Sequence, residues 1–470
     1  MNDYATFLAG KQRIAPSVGF DVPEVDLADH LFPWQRRLTT WALRKGRAAL
    51  FTTTGSGKTR MQLEWARQIV ARTGGPVLIL APLAVAQQTV TEGERVGVPV
   101  TLCRSGTDVS DGINITNYEM LHHFDPGTFA GVVLDESSIL KTFSGVTKKR
   151  LIESFRATPY RLCCTATPAP NDVVELCNHA DFLGVMKPAD MITIFFISKG
   201  DDQKVGRFRL KRHARSAFFR WLASWSMSMN TPSDLGYPDD GFVLPPLSIR
   251  PRVVDTEWKP DGQLFFTVLK GITERAAVRR ATVAARVQAT ADLVRAEPSE
   301  QWLIWCGLND EGRAIAAELP GAVVVEGSDS PEHKADALAR FASGKTQVLV
   351  TKPAIGAWGL NFQRCARMAF LGLGDSFEQY FQALRRCWRF GQTRPVEAHI
   401  VLSSIETAIF ENVLRKEREH AAVMRELVQS VRDFEREELA SVRRADEYTP
   451  AQVMRLPAWL MREELAHAGA

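Results

Sequence analysis

The sequence predicts an α/β protein of two parallel-sheet lobes, with a mostly helical insertion between them and a helical tail. Three observations carry this. Short apolar runs alternate with helical stretches from about residue 31 to 185, and the alternation resumes at 302. Continuous apolar runs are strands buried on both faces, which is the signature of parallel sheets covered by helices. Between the two regions, through 186–285, the pattern breaks into a basic and aromatic stretch.

Taken in order, residues 1–30 have no apolar period and read as a loose leader. The first lobe, 31–185, has strand candidates at 48–55, 76–82, 113–119, 131–137 and 161–168, each ending at Gly, Pro, Asn or an acidic residue. The insertion, 186–285, holds two Trp-rich turns and a Pro/Asp/Gly turn from Thr231 to Gly241. A helical run from Trp258 to about Arg295 leads out of it. The second lobe, 286–403, has strand candidates at 302–307, 322–327, 347–353, 367–373 and 397–402. The tail, 404–470, is helical and rich in Glu and Arg, a solvated or packing helix or else a partner site.

Composition sets bounds on function. The 470 residues are 45% apolar and 24% charged, ordinary for a globular protein. A net charge of +4 permits nucleic-acid binding without arguing for it. Seven cysteines form no Cys-x-x-Cys pair, which argues against a disulfide framework or structural zinc and for a reducing, cytoplasmic setting. No signal-like core or membrane-length apolar run is present, so no membrane contact is expected. His122-His123 read as structural rather than as metal ligands, and no nuclease constellation is visible.

The chemistry begins at TTTGSGKT, residues 52–59, between an apolar strand and a helical pattern. Gly55 and Gly57 let the backbone amides of Thr54 to Thr59, Ser56 included, turn inward onto phosphates at a helix N-terminus. Lys58 would neutralise β- and γ-phosphates, and the Thr59 hydroxyl would ligate Mg²⁺. VVLDESS, residues 132–138, puts Asp135 at a strand's carboxyl end, where open α/β sheets bind ligands. Asp135 would hold the Mg²⁺ and Glu136 would polarise the attacking water. Later, QALRRCWRFGQ (382–392) sets Arg386 and Arg389 one helical turn apart, so both can project from one helix face.

In this order the motifs resemble those of superfamily-2 helicases and translocases, and among them the Swi/Snf-type double-stranded DNA translocases, from Trp34-Gln35 to about Leu402. The resemblance implies two tandem RecA-like lobes. It gives Gln35 the role of adenine reader, tolerates Thr52 where the loop usually has Gly, and makes Gln382, Arg386 and Arg389 the functional positions of the last motif. Arg385 is then an extra surface cation. LAPLAVAQQ (80–88), NYEML (117–121) and VLVTKPAIGAWGLNF (348–362) look like the family's nucleic-acid and coupling segments. They imply contacts from Pro82, Asn117 and Thr351, and a place for Gly356, Gly359 and Asn361 near both ligands. VLPPL (243–247) resembles the mark before an inter-lobe brace. The absence of an upstream arginine pair favours a compact phage or bacterial member.

The insertion adds eight Lys or Arg between 199 and 220, among them Arg209, Lys211 and Arg212, followed by Phe218, Phe219, Trp221 and Trp225. These are phosphate contacts or a solvated face whose aromatics pack on a lobe; the sequence leaves both open. A second cluster, Lys141 and Lys148-Lys149-Arg150, lies where the resemblance implies a nucleic-acid track. The expected function is an ATP- and Mg²⁺-dependent DNA translocase, monomeric, acting on duplex or branched DNA in replication, recombination or repair. The alternatives are a strand-separating DNA or RNA helicase, and a nucleotide-gated DNA-binding scaffold with little turnover.

Overall fold

The computed structural model describes residues 14–141, 145–198, 208–254, 281–356 and 361–446. Its first nine strands are β1 (Arg47–Thr52), β2 (Val77–Ala81), β3 (Val100–Leu102), β4 (Ile113–Asn117), β5 (Gly131–Asp135), β6 (Tyr160–Thr165), β7 (Phe196–Ser198), β8 (Phe208–Leu210) and β9 (Ser226–Met229). Seven of them form one sheet in the order β3-β4-β2-β5-β6-β1-β9, every neighbouring pair parallel. β7 and β8 make a separate antiparallel hairpin. Every residue of β2 and β5 is buried, as helices on both faces require.

The second lobe is β10 (Leu247–Val254), β11 (Trp302–Cys306), β12 (Val323–Val325), β13 (Val348–Thr351), β14 (Arg367–Leu371) and β15 (Val396–Ser403). They pair in parallel in the order β10-β15-β14-β11-β13-β12. Two parallel α/β lobes in tandem, RecA-like in layout, are thus the fold. Arg286, Glu311 and Glu406, all nearly without exposure, ion-pair inside the second lobe, and Arg286 also donates to the Leu371 carbonyl at the end of β14 (2.9 Å). Among the described residues no helix is long and apolar enough to cross a membrane.

Two sequence expectations change, and the packing of the insertion's aromatics, which the sequence left open, is seen. The leader, from residue 14 on, is packed rather than loose. The amides of Val18, Gly19 and Phe20 donate to the carbonyls of Lys45, Arg44 and Leu43, each at 3.1 Å. These bonds satisfy acceptors that a helix C-terminus leaves orphaned, here that of helix Pro33–Lys45. A Cβ at Gly19 would stand 1.8 Å from the Leu43 oxygen, so only glycine permits the approach. Second, the insertion is not a separate unit: β9 extends the first sheet beside β1, and β10 edges the second beside β15. Of the two readings left open for the insertion, the aromatics follow the one in which they pack on a lobe: Phe218, Phe219, Trp221 and Trp225 are core residues of the first lobe, Trp225 meeting Phe51 of β1 edge to face at 6.2 Å. The alternation of the first three with cations reflects an amphipathic helix, Arg215–Ala223. The run expected from Trp258 lies outside the described residues as far as 280; helix Val283–Ala296 follows.

As far as it is described, the tail is a long helix, Thr407–Asp446. It begins in the second lobe, where Ile409, Phe410 and Val413 join the core. It then crosses to the first lobe, burying Met424, Leu427, Val431 and Phe434. Arg215 pairs with Glu426, Arg432 with Asp234 and Arg37 with Glu435. Leu427 is fully buried, so Leu427→Ala is expected to lower unfolding free energy by about 2–5 kcal/mol in denaturant titrations. A loss below about 0.5 kcal/mol, the range of surface substitutions, would mean the helix does not dock on the first lobe in solution.

Candidate nucleotide site between the lobes

The first half of the site follows from β1 ending at Thr52 and the next helix beginning at Lys58. The intervening turn needs left-handed backbone at Gly55 (φ 84°) and Gly57 (φ 75°). Thr52, which stands where a glycine is usual, turns its hydroxyl onto Ser56 Oγ at 2.7 Å and staples the loop from below. Gln35 donates from Nε2 to the Ser56 carbonyl (2.9 Å) and accepts at Oε1 from the Phe32 amide (2.9 Å). Its carboxamide therefore braces the loop, and a Cβ at position 57 would lie 2.3 Å from Gln35 Nε2. The adenine-reading role implied for Gln35 competes here with that bracing. Lys58 Nζ donates to the Thr52 and Thr53 carbonyls (3.0 Å each), and burial lowers its pKa. Thr54, Thr59 and Arg60 line the same cleft, with Thr54 Oγ1 buried and without a partner among the described residues.

The carboxylates come from the end of β5. Asp135 Oδ1 accepts from Gln62 Nε2 (2.7 Å) and from the Glu136 amide (3.1 Å), while the Tyr118 hydroxyl donates to the Asp135 carbonyl (2.6 Å). Glu136 has φ 50°, the only positive value outside glycine among the described residues, and such strain at a non-glycine residue gathers at functional sites. Burial pushes its carboxyl up to about 7 against the pull of Lys58, and Asp135 adds to the rise; the Asp135 carboxyl is raised too, again by burial. Glu136 Oε2 sits 3.5 Å from Thr165 Oγ1, at the end of β6.

The second half comes from helix Phe377–Leu384 and the turn after it. Gln382, fully buried, donates from Nε2 to Glu136 Oε2 at 3.4 Å. Arg386 donates from Nε to the Gln382 carbonyl and from Nη2 to Gln382 Oε1, both at 3.3 Å. The helix stops at Leu384, so Arg386 and Arg389 project from a turn and not from one helix face as the spacing suggested. Gln392 holds that turn, donating to the Cys365 and Cys387 carbonyls (3.0 and 3.2 Å), and its Oε1 accepts from the Thr393 and Arg394 amides. Burial presses the guanidinium pKa of Arg386 down to about 9 and of Arg389 to about 10, with Arg389 adding to the effect on Arg386. Arg389 Nε and Asn361 Oδ1 are buried without partners among the described residues. Gly359 lies outside those residues. Arg385 is no surface cation: its guanidinium lies 4.2 Å from the Trp388 ring and 5.0 Å from Phe381, with Glu417 of the C-terminal helix nearby.

One cleft thus gathers Thr54, Gly55, Gly57, Lys58, Thr59, Asp135, Glu136, Asn361, Arg386 and Arg389. Orphaned buried donors and acceptors, three desolvated cations and a carboxylate pair fit a polyphosphate with a divalent cation. Sequence reasoning missed Gln62 and Glu378, although each sits one helical turn from a residue it found, Lys58 and Gln382.

The nucleic-acid candidates fare differently. Lys148 is buried, donating to Asn178 Oδ1 (2.8 Å) with Asp181 at 3.7 Å, so the sequence's basic cluster hides a core lysine. Thr351 is fully buried and donates to the Val325 carbonyl (3.1 Å). Lys141 ion-pairs with Glu378 of the other lobe. Asn117 caps the following turn by accepting from the Met120 amide, and Pro82 precedes the first turn of helix Leu83–Arg95. Lys211 donates to the Thr193 and Ile194 carbonyls. Lys149, Arg209 and Arg212 stand exposed.

Residues 285–391 match the family model of the helicase conserved C-terminal domain. Among solved structures the chain is similar to the Sulfolobus solfataricus SWI2/SNF2 ATPase core in complex with dsDNA, at 16% identity and a TM-score of 0.42, over 87% of this chain and 98% of that one. No curated protein matches it. The stretch that matches the helicase C-terminal model thus faces, across the cleft, a Gly-Lys-Thr loop and an Asp-Glu pair on the first lobe.

Proposed function

We propose that the protein is an ATP-driven translocase of the Swi/Snf type, working as a monomer on double-stranded or branched DNA in replication, recombination or repair. The observation that carries the ATPase reading is the hydrogen bond from Gln382 of the second lobe to Glu136 of the first, inside a cleft shared by Lys58, Arg386 and Arg389. ATP would lie with its phosphates on the amides of residues 54–59. Lys58 would exchange the Thr52 and Thr53 carbonyls for phosphate oxygens. Mg²⁺ would be held by Thr59 and Asp135 and would withdraw charge from the β- and γ-phosphate oxygens. Glu136 would orient the attacking water, and Arg386 and Arg389 would meet charge growing on the transferring phosphoryl group.

Because those arginines belong to the other lobe, hydrolysis would depend on the gap between lobes, and a polymer gripped by both would be moved as the gap changes. The exposed cations Lys149, Arg209 and Arg212 support backbone contact with such a polymer, and backbone contact carries no base sequence. Duplex DNA rather than RNA follows from the motif resemblance.

Steady-state ATP hydrolysis should rise strongly on adding duplex or forked DNA; equal or greater stimulation by RNA would overturn the substrate. Lys58→Ala and Glu136→Gln should each lower turnover by about 10²-fold or more, with Glu136→Gln still binding ATP. Near-normal turnover in both would overturn the site. The pH profile gives a third check. Glu136 must be ionised to act, and burial sets its carboxyl near 7 rather than in the ordinary glutamate range. The acid limb of kcat/KM, which reports the free enzyme, should therefore fall as pH drops below about 7, as a property of the Asp135–Glu136 pair. A profile flat to pH 5 would contradict it.

A further inference from the structure

Glu378 has no part in the site as the sequence motifs define it, yet it is one of the most buried carboxylates of the second lobe, 4% exposed. It lies in the first turn of helix Phe377–Leu384, one turn ahead of Gln382, and its side chain leaves its own lobe. One oxygen accepts from Ser138 Oγ and the other from Lys141 Nζ, both on the short turn Ser137–Lys141 that follows Glu136. The first lobe fixes the far side of that turn: His179 Nε2 meets Ser137 Oγ at 3.1 Å, and Asn178 Nδ2 donates to the Leu140 and Lys141 carbonyls at 2.8 and 3.3 Å. The near side, adjoining the strained Glu136, is held by Ser138, whose hydroxyl lies 3.4 Å from the Glu136 carbonyl and bonds to Glu378.

We propose that Glu378 is a positioning residue: delivered by the second lobe, its carboxylate pins the turn after Glu136 and sets the Glu136 carboxylate only when the lobes meet. The proposal rests on the reading of Glu136 as the water-orienting base. One helix of the second lobe then carries two controls, Gln382 on the side chain of Glu136 and Glu378 on its backbone. A backbone held in a sparsely populated conformation persists only where its surroundings over-determine it, and Glu378 supplies the part of that support that opening the cleft removes. Glu378 also faces Glu136 electrostatically, together with Lys58, Asp135 and Arg386, while Gln382 and Thr165 face it as neutral partners.

The test compares wild type, Glu378→Gln, Lys141→Met and the double variant at saturating duplex DNA. Misplacement of a catalytic group by about 1 Å costs on the order of 10²-fold, so Glu378→Gln should lower kcat by roughly 10- to 100-fold with affinity for a non-hydrolysable ATP analogue retained. Lys141→Met, on the half-exposed side of the pair, should show a smaller loss that does not add to that of Glu378→Gln in the double variant. Hydrogen exchange of the amides of 136–141, measured without nucleotide, should be faster in Glu378→Gln than in wild type. Turnover within about twofold of wild type, with unchanged exchange at 136–141, would overturn the proposal. If wild type does not hydrolyse ATP, the ATPase reading fails, and unchanged exchange at 136–141 would separately remove Glu378 as the anchor.

Discussion

The line of hydrogen bonds from Arg386 through Gln382 to Glu136 crosses from one lobe to the other, and the geometry of the cleft depends on it. Each lobe alone holds charges in a place that disfavours them. The first buries Lys58 beside two carboxylates; the second buries Arg386 and Arg389 side by side. Desolvated charge is tolerated where opposite charge and hydrogen bonds meet it, and here much of that compensation lies across the gap. Bringing the lobes together therefore completes the electrostatics of the cleft as well as its shape.

The rest of the fold keeps that gap narrow and repeatable. The loop and the Asp-Glu turn stand on the carboxyl ends of β1 and β5, parallel strands with β6 between them, so a sheet and not a flexible segment sets their spacing. The C-terminal helix leaves the second-lobe core and docks on the first, with Lys416 at the crossing bonded to Asn171 Oδ1 on one side and to the Asp375 carbonyl on the other. Phe390, two residues before Gln392, stacks on Phe242 at 4.6 Å, and Phe242 meets Trp34 edge to face at 5.4 Å. The helix and the aromatic contact are thus two further links between the lobes.

Strand-forming runs and the turn of residues 53–57 were legible in the sequence because they follow from local chemistry: apolar runs, glycines at left-handed positions, a carboxylate pair at a strand end. What was not legible was partnership over long separations. Lys148 looks like one of three consecutive surface cations, and only Asn178 and Asp181 from a later helix make it a core residue. Arg385 differs from Arg386 by a single position, and tertiary packing on Trp388 rather than sequence spacing fixes which way it turns. β9 reads as part of an insertion because its residues, Ser-Met-Ser-Met, carry little strand signal; its pairing with β1 assigns it to the first sheet. Glu378 was invisible for the same reason, since both of its partners lie more than 230 residues earlier.

The central claim is that the second lobe completes the chemistry of the first, and Arg386 tests it most directly. In single-turnover hydrolysis with duplex DNA saturating, Arg386→Ala should lose about 10³-fold or more in rate while still binding a non-hydrolysable ATP analogue. A rate within about tenfold of wild type would show that the first lobe hydrolyses ATP without the second, and would contradict this account.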